Sequence, residues 1–419
     1  MSSPHHPDRS PGRQLLSQAY RLLFRLARRV IKPLIPSALY RSPAIARILA
    51  RLPSPPGRVA RGPVSPATDG QLDYARKIEN EIATFKDIEH VHDLPAIAMR
   101  WGHVVLRPMF QEYGIDNADQ LFAKGLAQAA RDCGDTNPRY VSIGSGNCDT
   151  EIRVALMLRE TIGPNFVIEC LELNPHMLER GRAQATQEGV EANLAFIRAD
   201  FNAWKATTSY TGAMANQSLH HVVNLEGLFD EIQRSLKPEG AFVISDMIGR
   251  NGHMRWPEAL EAMAPFWKEM PESFRYNHQL RRYEDPYQNW DCSQDGFEGI
   301  RAQDILPLLL DRFHFSFFLG YGNVLDIFID RGFGHHFDPD REWDWDFISR
   351  IHAVDEAGFQ DGSLTPTHIA AVMHKTAGRP LVSPRGLDPA ACVRDPAQPG
   401  ARGRKSPASR TKAPVTITP

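Results

Sequence analysis

Residues 139–151 read RYVSIGSGNCDTE, and the order of residue types in them decides the fold. Residues 139–143 fit a short buried strand. Gly144-Ser145-Gly146-Asn147-Cys148 turns the chain, and Asp149 opens a helix predicted to reach about residue 160. Strand, glycine turn and helix make the first half of a βαβ unit. Outward from this point the pattern repeats. Strands are predicted at 166–173, 194–197, 212–216, 241–245, 315–319 and 368–374, with helices at about 176–188, 225–236 and 300–313. Seven strands alternating with helices predict an α/β fold, with a mostly parallel sheet covered by helices on both faces.

In such sheets ligands bind beyond the carboxyl ends of the strands, so unusual residues placed there carry the functional signal. Gly144 and Gly146 follow the first strand, where a missing side chain lets the backbone approach a ligand. Asp149 takes the place of the third glycine of GxGxxG, and no lysine follows, which excludes a Walker loop. Glu172 ends the second strand; a carboxylate there accepts hydrogen bonds from ribose hydroxyls. By itself this suits a nicotinamide dinucleotide as well as S-adenosylmethionine. Ala199-Asp200-Phe201 follows the third strand, an acid beside an aromatic, suited to an adenine amino group and ring.

Taken in order, YVSIGSGNCDTE, LELNPHMLERG, IRADF, NQSLHHV and LKPEGAFVISD resemble the class I S-adenosylmethionine-dependent methyltransferases, and more narrowly the bacterial enzymes that modify small molecules or glycans. The likeness covers residues 130–250 and extends weakly to 375. It implies a Rossmann-like fold and S-adenosyl-L-methionine as cofactor. It also implies that Gly144 and Gly146 border the methionine part, Glu172 the ribose, Asp200 and Phe201 the adenine, with Asn216 and Gln217 beneath the donor, and that Ser142, Ser145, Asp149 and Leu173 belong to the cofactor-binding residues. Two departures concern the loop: Ser142 stands where the family has an acid, and Cys148 where it has its third glycine. Ser142 is expected to bond the loop, and Asp149 to replace the acid.

His220 and His221 follow the fourth strand, on the acceptor side, and Asp246 ends the fifth. A histidine there can take a hydroxyl proton near neutral pH. All three are candidate catalytic residues, with His220 preferred. The competing reading makes both histidines structural and Asp246 a turn acid. The expected activity is methyl transfer to a hydroxyl of a small molecule or glycan. Alternatives are an N- or C-methyltransferase and a cofactor-binding scaffold without turnover. A nucleotide-dependent oxidoreductase lacks its GxGxxG.

Residues 250–299 exceed an ordinary connection and are expected to form a helical lid or substrate insertion rich in Trp, Tyr, Arg and His. Residues 71–130 are expected to form a helical cap from which Trp101, His103 and Arg107 reach the pocket. The stretch 334–346, GHHFDPDREWDWD, has the acids of a calcium loop but neither its sixth-place glycine nor its twelfth-place glutamate. It is read as a capping loop before a helix from about Trp343, and no metal site is expected.

The 419-residue chain has a net charge of −2 that averages unlike parts. Residues 1–70 hold 12 Lys+Arg and 2 Asp+Glu, residues 376–419 hold 8 and 2, and the remaining core 28 and 46. An acidic core, net −18, repels phosphate, so no nucleic-acid partner is expected. The C-terminal flank from 376 is expected to be disordered. The N-terminal flank is expected to be largely so, apart from a basic amphipathic helix at 14–32 that suits peripheral contact with an anionic membrane, a transit peptide, or a plain tail. Five scattered cysteines fit a reducing, cytoplasmic setting, including the inner membrane surface. Residues 131–375 are left as the cofactor-binding domain.

Overall fold

The computed structural model describes residues 74, 76–80, 82–83, 94–294 and 296–397. The amphipathic helix expected at 14–32, and with it the membrane contact, lies outside the described residues. Within them, no helix is long and apolar enough to cross a membrane.

The sheet has seven strands: β1 Arg139–Ile143, β2 Val167–Glu172, β3 Leu194–Arg198, β4 Tyr210–Asn216, β5 Leu236–Met247, β6 His314–Tyr321 and β7 His368–His374. Their order is β3-β2-β1-β4-β5-β7-β6. The first five pair in parallel, while β7 runs antiparallel between β5 and β6. The order reverses between β1 and β4, and this crevice is where a doubly wound sheet binds its ligand.

From residue 94 on, the helices are α1 Ala96–Trp101, α2 Arg107–Gln111, α3 Ala118–Asp132, α4 Asp149–Ile162, α5 Pro175–Gln187, α6 Leu225–Ser235, α7 Pro257–Glu269, α8 Ala302–Leu310, α9 Val324–Ile329 and α10 Glu342–Asp361. A π-helical turn, Gly102–Leu106, joins α1 to α2. Local chemistry starts several of them. Asn117 caps α3 by accepting from the Gln120 N–H, and Asn174 caps α5 with Pro175 behind it in the first turn.

The strands read as continuous apolar runs because both faces are buried. Tyr140, Ile168, Met214, Val243 and Val372 face a layer built on α3, α4 and α5. Their neighbours Val141, Leu171, Ala213, Phe242 and Ala371 face α6 and α8. This two-residue alternation gives each helical layer its own core. A third cluster joins α1, α7, α9 and α10 around Phe328 and Phe347, and takes in Trp101 and Trp267.

The C-terminal flank is not unstructured from 376. Residues 376–397 are described and packed: Val382 pairs with Phe317, Cys392 is buried, and Leu387 and Val393 lie on the α6–α8 core. The arginines that made this flank look disordered meet core acids. Arg379 bonds Asp132 and Glu239, Arg385 pairs with Glu356, and Arg394 bonds Glu258. Composition shows the charge but not the partners waiting for it on distant helices.

Candidate functional site

One cavity opens at the carboxyl ends of β1, β2 and β4. The glycine loop forms its floor. Gly144 has φ +67°, and a Cβ there would stand 2.6 Å from Ser218 Cβ, so only glycine lets the loop pass the turn after β4. The loop is tied down from β2: the Ser145 N–H donates to the Leu171 carbonyl at 3.0 Å and the Gly146 N–H to Glu172 Oε2 at 2.9 Å. The other oxygen of Glu172 accepts from the Asn174 N–H at 2.8 Å. Glu172 is thus held on the wall with its carboxylate oriented before any ligand arrives.

Cys148, in the place of a third glycine, keeps the glycine-like conformation with φ +59°, which costs an L-residue about 1–2 kcal/mol. Its side chain finds room because the facing residue on α5 is Gly181, where a Cβ would lie 3.0 Å from Cys148 Sγ. The small residue has moved from the loop to the helix that packs on it.

Ser142 does not bond the loop and does not line the cavity. Its hydroxyl donates to Glu151 Oε1 at 2.5 Å. Glu151, from the first turn of α4, lines the cavity beside Asp149 and Thr150. Burial raises its carboxyl to about 7, outweighing the hydrogen bond from Ser142. An acid lost from the strand therefore reappears on the helix, nine residues on.

Of the other expected cofactor contacts, Gly144, Ser145, Gly146, Asp149, Glu172 and Leu173 line the cavity, as do Phe201, Asn216 and Gln217. Asp200 does not. Both its oxygens accept from the Tyr74 hydroxyl, at 2.8 and 2.9 Å, and Asn202 donates to the same hydroxyl. Phe201 and Asn202, the residues after Asp200, line the cavity, as do Ile82 and Phe297. The Tyr74 and Phe297 rings lie 5.4 Å apart. Asn202 sits two residues from the acid that sequence singled out; Tyr74, Ile82 and Phe297 carried no local signal.

The three catalytic candidates separate. His221 lines the cavity; His220 and Asp246 do not. Asp246 is fully buried and saturated: Oδ2 accepts from the N–H groups of Ser218 and Leu219, and Oδ1 from the Met247 N–H while meeting His220 Nδ1 at 2.6 Å. It is no acceptor-touching acid. It fixes the turn after β4 and orients His220. Burial alone would push the His220 imidazole down, but the carboxylates of Asp246 and Glu298 outweigh it and hold it up at about 10. A ring that keeps its proton at neutral pH is a poor base, which counts against the preference for His220. Glu298, unremarked in sequence, gathers the histidines. Its carboxylate lies 2.6 Å from His253 Nε2, 3.3 Å from His220 Nε2 and 3.3 Å from His221 Nε2.

Trp101, His103 and Arg107 do not reach the cavity. Trp101 packs beside His352 and Tyr321, while Arg107 bonds Asp116 and meets His103 at the surface. Aromatic residues of the 250–299 insertion pack into the third core cluster, as with Trp267 against Tyr287 of the insertion and Phe333 beyond it. In the stretch 334–346, Asp344 is buried and accepts from the Asp338 N–H and Arg341.

Residues 135–305 match the family model described as a methyltransferase domain. A sterol 24-C-methyltransferase of Aspergillus fumigatus is 33% identical over 79 residues, 19% of this chain and 21% of that protein. The chain thus spans about a fifth of the length of that relative. Among solved structures, geranyl diphosphate C-methyltransferase from Streptomyces coelicolor A3(2) is 13% identical, with 72% of this chain and 98% of that one covered at a TM-score of 0.38. An O-methyltransferase from a trans-AT polyketide synthase multienzyme of Brevibacillus brevis is 13% identical over 69% of this chain and 85% of that one, with a TM-score of 0.36. Over residues 135–305 the chain is thus similar to methyltransferase domains.

Proposed function

We propose that the whole chain transfers the methyl group of S-adenosyl-L-methionine to a hydroxyl oxygen of a small molecule or glycan, with His221 receiving the hydroxyl proton. The observation that carries this reading is the position of His221. Alone among His220, His221 and Asp246, it lines the same cavity as Gly144 and Glu172.

The residues fit the cofactor chemically. The glycine loop offers a surface without side chains, Glu172 presents an oriented carboxylate, and Phe201 an aromatic face. When bound, S-adenosylmethionine supplies an electrophilic methyl on a sulfonium whose departure needs no acid. The protein's own work is therefore alignment and proton removal. Glu172 would hold the ribose, Glu151 the methionine end, and Asn216 and Gln217 would support the donor from β4. The His221 ring would accept the acceptor's O–H proton as the O–C bond forms and the S–C bond breaks. Glu298 beside it would steady the imidazolium. The acceptor would enter under the 250–299 insertion, which we assign as the lid. The divisions 71–130 for the cap, 131–375 for the catalytic domain and 1–70 for a basic flank complete this reading. We place the protein in the cytoplasm, with the flank available to the inner membrane surface.

The test uses the full chain with a panel of hydroxylated small molecules and glycans, methyl transfer being located by mass spectrometry. His221→Ala is expected to bind S-adenosylhomocysteine normally by calorimetry but to lose about 10²–10⁴-fold in kcat, the range of general-base effects. Normal turnover in that variant would remove His221 as base, and a methyl group found only on nitrogen or carbon would replace the hydroxyl reading.

A further inference from the structure

We propose that His220 Nε2, His253 Nε2 and a carboxylate oxygen of Glu298 form a binding site for one divalent transition-metal ion on the acceptor side of the cavity. The proposal rests on the assignment of that side made above and adds a ligand to it.

Among the described residues, this is the one group of three His, Cys, Asp or Glu side chains whose ligand atoms all lie within 4.8 Å of one another. The three come from separate segments: the turn after β4, the start of the insertion and its end. No sequence spacing could have revealed them. An ion that holds nitrogen and oxygen ligands at about 2.0–2.1 Å in a tetrahedral arrangement spaces them about 3.3 Å apart. The Glu298 carboxylate stands 3.3 Å from His220 Nε2 and 2.6 Å from His253 Nε2, so both separations are at or inside that spacing.

Two further observations point the rings at the site. The buried carboxylate of Asp246 meets His220 Nδ1 at 2.6 Å, which turns Nε2 towards Glu298, where binding an ion would release the Nε2 proton. A carboxylate behind a ligating histidine is the usual outer support of a metal site. His253 takes a left-handed backbone conformation, φ +52°, that an L-residue adopts only at a cost. That conformation accompanies a ring carried onto the same carboxylate.

The ligand chemistry selects the ion. Two imidazoles and one carboxylate suit zinc, iron, cobalt or nickel, whereas magnesium and calcium prefer oxygen ligands throughout. Three protein ligands leave at least one coordination position open. His221, which touches the other oxygen of Glu298 and lines the cavity, marks the direction of the open side. The Glu298 side chain is 41% exposed, so an ion can enter without unfolding the domain.

The test uses the full chain freed of metal by chelator dialysis, then titrated with ZnCl2 by calorimetry and with CoCl2 by visible absorption. One zinc per chain at micromolar affinity or tighter is expected, with cobalt d–d bands. His253→Ala and Glu298→Gln should each weaken zinc binding at least tenfold, with S-adenosylhomocysteine affinity held within threefold. X-ray absorption of the zinc-loaded wild type needs no variant and should show two imidazole ligands. Absence of zinc binding at millimolar concentration, binding unchanged by both substitutions, or fewer than two imidazoles would overturn the proposal. Loss of S-adenosylhomocysteine binding by the wild type would instead overturn the methyltransferase reading of the chain and leave the metal titration a separate result.

Discussion

Replacing Glu151 by glutamine tests the reassignment of the missing strand acid to α4. The carboxyl is fully buried, its one side-chain partner is the neutral Ser142 hydroxyl, and burial raises it from 4.5 to about 7. That shift corresponds to about 3 kcal/mol favouring the protonated form over the unfolded reference. The sign follows from the direction. A raised carboxyl contributes stability that is complete below about 4.5 and is lost as pH rises through about 7. A cation brought against Glu151 reverses the preference, and the methionine ammonium of the donor is the cation expected there. Binding should therefore release a proton, most fully below pH 7 and progressively less above it, if the bound carboxyl ionises fully. Calorimetry with S-adenosylhomocysteine in two buffers of different ionisation enthalpy measures that number directly. In Glu151→Gln the linkage should vanish and the affinity fall by about 1.5–3 kcal/mol, the worth of a hydrogen bond to a charged group. No proton release by the wild type at pH 6, or an unaltered affinity in the variant, would show that Glu151 does not face the donor's charge.

Three further outcomes are expected. Glu172→Ala should weaken S-adenosylhomocysteine binding by about 1–3 kcal/mol, since it strips partners from the ribose hydroxyls and from the Gly146 and Asn174 N–H groups; an unchanged calorimetric constant would refute it. Gly181→Ala places a Cβ 2.8 Å from the Asn147 carbonyl oxygen and 3.0 Å from Cys148 Sγ, and should cost about 1–3 kcal/mol by overpacking, read as a lower urea midpoint. Asp355 is raised to about 7, first by burial and then by Asp326, so the wild type should lose stability as pH climbs from about 4 to 7; Asp355→Asn should flatten that slope in denaturant unfolding across the range.

The parts of the fold legible in sequence were those decided by neighbours along the chain. The strand–glycine–helix order at 139–151, the Asn174-Pro175 start of α5 and the acid at the end of β2 depend on residues within a few positions of one another. The parts that were not legible depend on which distant group meets which. Tyr74 reaches Asp200 across 126 positions, and no local pattern announces that a carboxylate is already occupied. Ser142 and Glu151 exchange roles only because α4 packs back over β1. His220 and His221 are adjacent and alike. The single 3-10 turn, Leu219–His221, decides that one is buried against Asp246 and the other faces the cavity. The arginines of 376–397 looked like an unattached charge run because their acids sit on α3, α7 and α10.

Asp246 has a mechanical consequence. One carboxylate clamps the Ser218 and Leu219 amides, the His220 ring and its own strand's end, while the Gln217 N–H is tied to Ser245 on that same strand. On the proposed reading, the edge assigned to the donor and the edge assigned to the acceptor are therefore geared to a single axle. If the joint couples the two sides, damage to it raises the Michaelis constants for both substrates together. Selection acting on acceptor preference would have to work through the insertion, leaving the joint alone.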